Sequence, residues 1–100
     1  MNVQCFIKEI GMPREWTGRD NKKMSSYPVI LSIPYVNNKG EERADQIIAE
    51  MVSANDDYVG KLRSCIANET RVEAQVFLAV KEYNGKKFQT CRLGNIQIMI

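Results

Sequence analysis

The 100-residue chain contains no histidine, and this absence removes several kinds of chemistry at once. Histidine is the usual base for a serine or cysteine nucleophile, and it is the commonest metal-binding side chain. The sequence also lacks the G-x-x-x-x-G-K-S/T and G-x-G-x-x-G patterns of phosphate-binding loops. We therefore expect a protein that is not an enzyme and that binds no metal and no cofactor.

Cysteine is scarce, and the three cysteines, Cys5, Cys65 and Cys91, form no CxxC pair. An odd number without metal-site spacing argues against a disulfide framework and against a zinc site. No apolar run approaches the roughly 18 to 20 residues of a membrane span, and the amino terminus lacks a signal-peptide pattern. Together these absences predict a cytoplasmic protein.

The composition is that of one ordinary globular domain over residues 1–100, with 44% apolar and 26% charged residues. Its net charge of +2 hides a segregation of charge along the chain. Residues 1–40 and 74–100 are each basic, whereas residues 41–73 are acidic. A basic surface can attract a polyanion even when the whole molecule is nearly neutral.

The last third of the chain, residues 71–100, predicts a β-hairpin with two unlike faces. Apolar residues occupy every second position from Val72 to Val80, which is the repeat of a half-buried strand. Asn84-Gly85 tolerates the positive φ angles of a two-residue turn, so it fixes which residues lie opposite each other.

Residues paired across this hairpin share a face. One face is predicted to be core and contains Val76, Leu78, Val80, Cys91 and Leu93. The other alternates aromatic with basic residues: Phe77, Lys81, Tyr83, Lys86, Phe88 and Arg92. Aromatic rings stack on bases and cations neutralise phosphates, so the second face is a candidate surface for single-stranded nucleic acid. The alternative is that other parts of the chain cover Phe77 and Phe88 and that the cations are ordinary surface residues.

Two other stretches repeat the aromatic and basic combination. Phe6 and Lys8 lie on one side of the first predicted strand, and they widen the candidate surface if that strand lies beside the hairpin. Residues 11–26 lack periodicity and predict a long loop or a flexible hairpin tip. This loop holds Trp16 among the cations Arg14, Arg19, Lys22 and Lys23. Trp16 is either a stacking residue or an anchor that fixes the loop to the barrel.

The remaining elements follow from periodicity and helix signals. Strands are predicted over Asn2–Ile10, Tyr27–Tyr35 and Arg43–Val52, followed by a helix over Asp56–Ala67. The second strand is expected to turn Val29, Leu31, Ile33 and Tyr35 inward. The helix has a candidate cap in Ser53 or Asn55. Its apolar stripe comprises Tyr58, Val59, Leu62, Cys65 and Ile66.

The apolar alternation slips by one residue after Leu93. The next set expected to point inward is Ile96, Ile98 and Ile100. This parity requires one residue to be skipped, and Gly94-Asn95 is predicted to be the β-bulge that does so. Such a bulge lets a strand bend around a small barrel.

This order of elements matches the oligonucleotide/oligosaccharide-binding (OB) fold, an all-β barrel of five strands with one helix between strands 3 and 4. Within that fold the chain resembles the bacterial single-stranded DNA-binding protein family. The opening VQCFIKEIG resembles the family's first strand and its exit, and the closing VEAQVFLAVKEYNGKKFQTCRLGNIQIMI resembles its last two strands and their turn. These segments cover less than half of the chain.

The resemblance implies non-enzymatic binding of single-stranded DNA, or of RNA, with low sequence specificity, as in DNA replication, repair and recombination. Apart from the resemblance, we expect a homo-oligomer, a dimer or a tetramer, because a domain this small gains binding surface by repetition. The third strand departs from the family, because it offers Ile47, Ile48 and Met51 in place of aromatics. The family's flexible acidic tail is also missing, so recruitment of partners through that tail is not expected.

A second function is compatible with the same fold. The chain could serve as an OB-fold module that builds protein assemblies and binds nucleic acid weakly or not at all. Apolar residues expected on the surface, Ile30, Ile47 and Met51, suit protein contacts, as do unpaired strand edges.

Overall fold

A computed structural model describes residues 1–52 and 56–99 of the chain. Over these residues the elements follow in the order β1 (Asn2–Ile10), β2 (Arg14–Thr17), β3 (Lys23–Val36), β4 (Glu42–Val52), α1 (Asp56–Ala67), β5 (Arg71–Tyr83) and β6 (Lys86–Ile98). The candidate caps Ser53 and Asn55 lie outside the described residues, as does Ile100.

Five of the strands close into a barrel, to which β2 is added at the edge of β3. Antiparallel pairing joins β6, β5, β1, β3 and β4 in that order. The barrel is closed by a parallel contact between β4 and β6, in which Glu50 is the partner of Arg92. The predicted five-stranded barrel with one short helix is therefore confirmed, and β2 is an additional strand.

The barrel interior is apolar, and α1 packs against it. Cys5 and Ile7 of β1 are buried, and so are Val59, Leu62 and Cys65 of the helix stripe. Tyr58 and Ile66 pack against the same core. The buried apolar residues are Cys5, Ile7, Ile10, Val29, Leu31, Ala49, Met51, Val59, Leu62, Cys65, Val72, Ala74, Val76 and Leu93.

Of the two predictions for residues 11–26, the long loop is wrong and the hairpin is confirmed, because Arg14–Thr17 and the residues from Lys23 onward form paired strands. β2 pairs with the start of β3, Arg14 with Ser26 and Thr17 with Lys23. A tight turn joins them, in which the Gly18 amide donates to the Lys22 carbonyl at 2.8 Å. This hairpin of β2 and the start of β3 is called here the ribbon. Its strands show no apolar alternation, because it extends beyond the core and carries polar residues on both faces.

The predicted register of the hairpin is confirmed from Tyr83 opposite Lys86 to Val76 opposite Leu93. Beyond that point Ala74 pairs with Ile96, so β6 carries one more residue than β5. This is the bulge predicted at Gly94-Asn95. Ile96 packs against the core as expected, whereas Ile98 is exposed, contrary to the prediction.

The outer half of this hairpin, residues 77–92, projects from the barrel and is called here the arm. Residues 78–91 pair only with each other, because β1 reaches β5 at residues 71–75 and β4 reaches β6 at Arg92. The prediction that Leu78 and Val80 are core is therefore wrong, and they are 52% and 68% exposed. The two residues share a face with Val76, as the alternation predicts, but no other part of the described chain covers that face in the arm.

Two other burial predictions also fail. Tyr35 was expected to point into the core, but it lies at the end of β3 and is exposed. On β4, Met51 is buried and Ile47 packs against the core, so neither is the exposed apolar residue that was expected. The exposed apolar side chains of this strand are instead Ile48 and Val52.

Candidate nucleic-acid interface

The outer face of the arm carries the predicted aromatic and basic side chains, and all of them are exposed. Three cross-strand pairs each combine one aromatic ring with one cation: Phe77 with Arg92, Lys81 with Phe88, and Tyr83 with Lys86. The three rings are 48%, 49% and 70% exposed at Phe77, Phe88 and Tyr83. The alternative that the rest of the chain covers these rings does not hold for the residues described.

The turn geometry explains why this face is so regular. Asn84 and Gly85 have φ angles of 52° and 77°, which are the two positive values that a type I′ hairpin turn needs. Between the aromatic pairs lies the small pair Ala79 and Thr90, whose hydroxyl donates to the Ala79 carbonyl at 3.3 Å. Because Ala79 and Thr90 are small, no bulky side chain lies between the Phe77–Arg92 pair and the Lys81–Phe88 pair on this face.

Gly94 leaves room for the Phe77 ring at the base of the arm. A Cβ atom at this glycine would come within 2.8 Å of Phe77 Cε2 and of Gln75 Oε1. Carbon atoms do not approach so closely without displacement, so any larger residue at Gly94 shifts the Phe77 ring. The glycine of the bulge therefore positions the first ring of the face as well as bending the strand.

The parallel contact that closes the barrel extends this face across β4. Arg92 on β6 is the partner of Glu50, and Glu50 Oε1 lies 3.9 Å from Arg14 Nη2 on β2. An open pocket of about 310 Å³ lies at this contact. It is lined by Glu50, Val52, Phe77, Arg92 and Leu93.

Trp16 completes the surface on β2. Arg14 and Trp16 pair with Ser26 and Met24, and the contact of Arg14 with Glu50 shows that they lie on the same face of the sheet as Glu50. The Arg14 guanidinium lies over the Trp16 ring at 5.4 Å from its centroid, which is cation–π distance. The ring is nevertheless 38% exposed, so it lies at the surface whether it stacks on a base or only anchors the ribbon.

These residues form one continuous surface, called here the binding strip. It runs from β2 across β4 to the tip of the arm and comprises Arg14, Trp16, Glu50, Val52, Phe77, Lys81, Tyr83, Lys86, Phe88 and Arg92. It holds four cations and one carboxylate, so its potential favours an anionic ligand.

Some predicted site residues lie away from this strip. β1 is next to β5, but Phe6 is the partner of Arg71, six residues and about 20 Å along β5 from Phe77. The Arg71 guanidinium also lies over the Phe6 ring, at 5.4 Å. Phe6 and Lys8 therefore line a different pocket, together with Ser32 and Ile66, and they do not widen the face of the arm.

The cations of residues 11–26 are also divided. Arg14 belongs to the strip, whereas Lys23 pairs with Thr17 and lies on the opposite face of the ribbon. Arg19 and Lys22 are exposed at the ribbon tip. They can attract a polyanion from there, but the structure does not place them beside the aromatic rings.

Sequence reasoning missed Glu50, Val52 and the role of Gly94. The first two alternate with Met51 on β4, but strand periodicity alone did not indicate which side faces the strip. Their place depends on the parallel contact of β4 with β6, which no local pattern signals. Gly94 had a detectable signal, since a glycine inside a strand often marks a close approach.

The inner face of the arm is chemically different. It gathers Leu78, Val80, Gln89 and Cys91, with the opposite charges Glu82 and Lys87 paired near the tip. Partial burial raises the pKa of the Cys91 thiol. This face is therefore neutral and in part apolar, whereas the outer face is basic.

No protein-family model matches the chain, and a search of curated proteins finds no relative. In the parts of the chain that the structure describes, no helix has both the length and the apolar character of a membrane span.

Proposed function

We propose that this protein binds single-stranded DNA without catalysis and with low overall sequence specificity, and that the binding strip is the surface that does so. The observation that carries the proposal is the arm, whose exposed rings each lie opposite a cation. Each base stacked on an aromatic ring contributes about 1 to 3 kcal/mol, and any base can stack. The cations neutralise phosphates, so affinity falls as salt rises.

The strand order supports assigning the barrel to the OB fold, with β1, β3, β4, β5 and β6 as its five strands. On this assignment α1 lies between the third and fourth strands of the barrel. OB folds bind oligonucleotides on the face of their second and third strands and on the loops after strands 1 and 4. The strip lies on the third barrel strand and on the segments that join strands 1 and 2 and strands 4 and 5, which also supports the proposed kinship with bacterial single-stranded DNA-binding proteins.

Trp16 is the sole tryptophan and reports on the strip directly. We expect a mixed-sequence single-stranded 20-mer to quench or shift its fluorescence in low salt, and binding to weaken at least tenfold when salt rises to about 200 mM. The matched control is a duplex of the same sequence, whose stacked bases cannot reach the rings. The same titration with an RNA 20-mer of equal sequence shows whether the protein distinguishes ribose from deoxyribose.

Two outcomes would contradict the proposal. Equal binding of the duplex and the single strand would mean that charge alone attracts the ligand. No fluorescence change, with no retardation of a labelled single strand at low salt, would mean that the strip binds no nucleic acid.

The three cysteines are free, which fits a reducing compartment, so we place this function in the cytoplasm.

A second candidate function is assembly, and the inner face of the arm favours it. Leu78 and Val80 are exposed on a face whose charges cancel, so two copies can meet there without repulsion. On this proposal the chain is a homo-oligomer, a dimer or a tetramer, and the arm is its contact. Leu78→Lys combined with Val80→Lys is expected to yield monomers in sedimentation, with Ile48→Lys as the control on another exposed surface.

A further inference from the structure

The pocket on the binding strip has the size for one planar ring. Its volume of about 310 Å³ is at the lower end of the range for small-molecule sites. Phe77 and Val52 give it apolar walls, and both are exposed enough to be reached by a ligand. Glu50 and Arg92 supply its polar groups, an acceptor and a donor.

Glu50 is the one carboxylate of the strip, and its surroundings leave it able to accept hydrogen bonds. Its separation from Arg14 is 3.9 Å, and the two side chains are 51% and 74% exposed. An ion pair this long and this exposed is weak, because water screens it. A carboxylate here repels phosphates, so the part of a strand that passes over Glu50 is a base and not the backbone.

The two pyrimidines differ at the atom that such a carboxylate would meet. Cytosine carries an amino group at N4, which donates to a carboxylate, whereas thymine carries the acceptor O4 at the same position. The ring acceptors of cytosine remain available to the Arg92 guanidinium. When thymine occupies the same position, its O4 faces the Glu50 carboxylate. Both atoms are acceptors, so the Glu50 oxygen is left without a donor.

We infer that this pocket holds one base of the bound strand and that Glu50 makes it prefer cytosine over thymine. The inference rests on the proposed function, to which it adds a base preference at one position. Glu50 acts as a specificity-determining residue within a surface that is otherwise indifferent to sequence.

The test compares oligo-dC and oligo-dT 12-mers at pH 7.5 with the full chain, by competition against a labelled mixed-sequence strand. The wild type is expected to bind oligo-dC about threefold more tightly, or better, as one added hydrogen bond allows. In Glu50→Gln the new amide can donate to thymine O4, so the ratio is expected to fall to about one. Unfolding midpoints of both proteins show that the fold is retained.

Glu42→Gln is the matched control. It removes the same charge from the same strand and the same face, eight residues and about 26 Å away from Glu50. We expect this variant to alter both affinities equally and to keep the wild-type ratio. Equal binding of the two oligonucleotides by the wild type, or an unchanged ratio in Glu50→Gln, overturns the inference while the proposed function stands. If neither oligonucleotide binds, the proposed function fails and the inference fails with it.

Discussion

The β5–β6 hairpin has two halves, the arm and the barrel half (residues 71–76 and 93–98). They share one sequence pattern but differ in burial. In the barrel half, Val72, Ala74 and Val76 are almost completely buried. In the arm, Leu78 and Val80 continue the same alternation but lie exposed. The comparison shows that alternation determines which residues share a face, whereas burial depends on whether another element lies over that face.

The division of the hairpin also separates two tasks. The barrel half contributes to folding because its apolar side chains belong to the same core cluster as those of β1 and α1. The arm contributes little to the core, so its rings and cations are free to serve a ligand. Substitutions in the two halves should therefore affect different measurements.

The largest expected effect is on binding, from Phe77→Ala combined with Phe88→Ala in the arm. Two lost stacking contacts should weaken single-strand affinity by about 2 to 6 kcal/mol, which is roughly 30-fold or more. The matched control is Phe6→Ala, which removes a ring far from the strip and should leave affinity unchanged. A similar loss in both variants would show that the strip is not the main binding surface.

The next effect concerns stability and compares valines in the two halves. Val76→Ala should lower the free energy of unfolding by about 2 kcal/mol, because it leaves a cavity in the core. Val80→Ala should change it by less than about 0.5 kcal/mol, as is usual at exposed sites. Denaturant titration measures both. Equal losses would mean that Val80 is covered in the assembled protein, which favours assembly through the arm.

The smallest effect is local to the arm. Gly85 has a φ of 77°, and a side chain in this left-handed conformation costs about 1 to 2 kcal/mol. In Gly85→Ala, amide hydrogen exchange in the arm should accelerate about 5- to 30-fold, while exchange in the barrel half stays unchanged. Acceleration throughout the molecule would show instead that the arm and the barrel unfold together.

Local signals in the sequence predicted the hairpin well. Asn84-Gly85 set the register, the parity change after Leu93 located the bulge, and the bounds of β1 and α1 agree with the structure. Each of these depends on residues close together in the chain. None of these predictions depends on how the strands close into a barrel.

The failures share one cause, which is that burial and long-range pairing belong to the whole fold. Leu78 and Val80 have the alternation of core residues, but no other described element packs over them. On β4 both faces carry apolar residues, so periodicity could not show that Met51 points inward and Val52 outward. The place of Glu50 beside Arg92 depends on closure of the barrel, and the exclusion of Phe6 from the strip depends on where β1 meets β5.

The parallel contact between Glu50 and Arg92 has a kinetic consequence. It joins residues 42 positions apart, whereas β3–β4 and β5–β6 are hairpins between chain neighbours. Contacts between distant residues require costly loop closure, so we expect this contact, called here the latch, to form after both hairpins, as we do the β1–β5 pairing between residues 65 to 73 positions apart. On the proposed function a bound strand lies across the latch and touches Arg14 on one side and Arg92 on the other. Ligand would then hold the barrel shut, and occupancy would slow its opening.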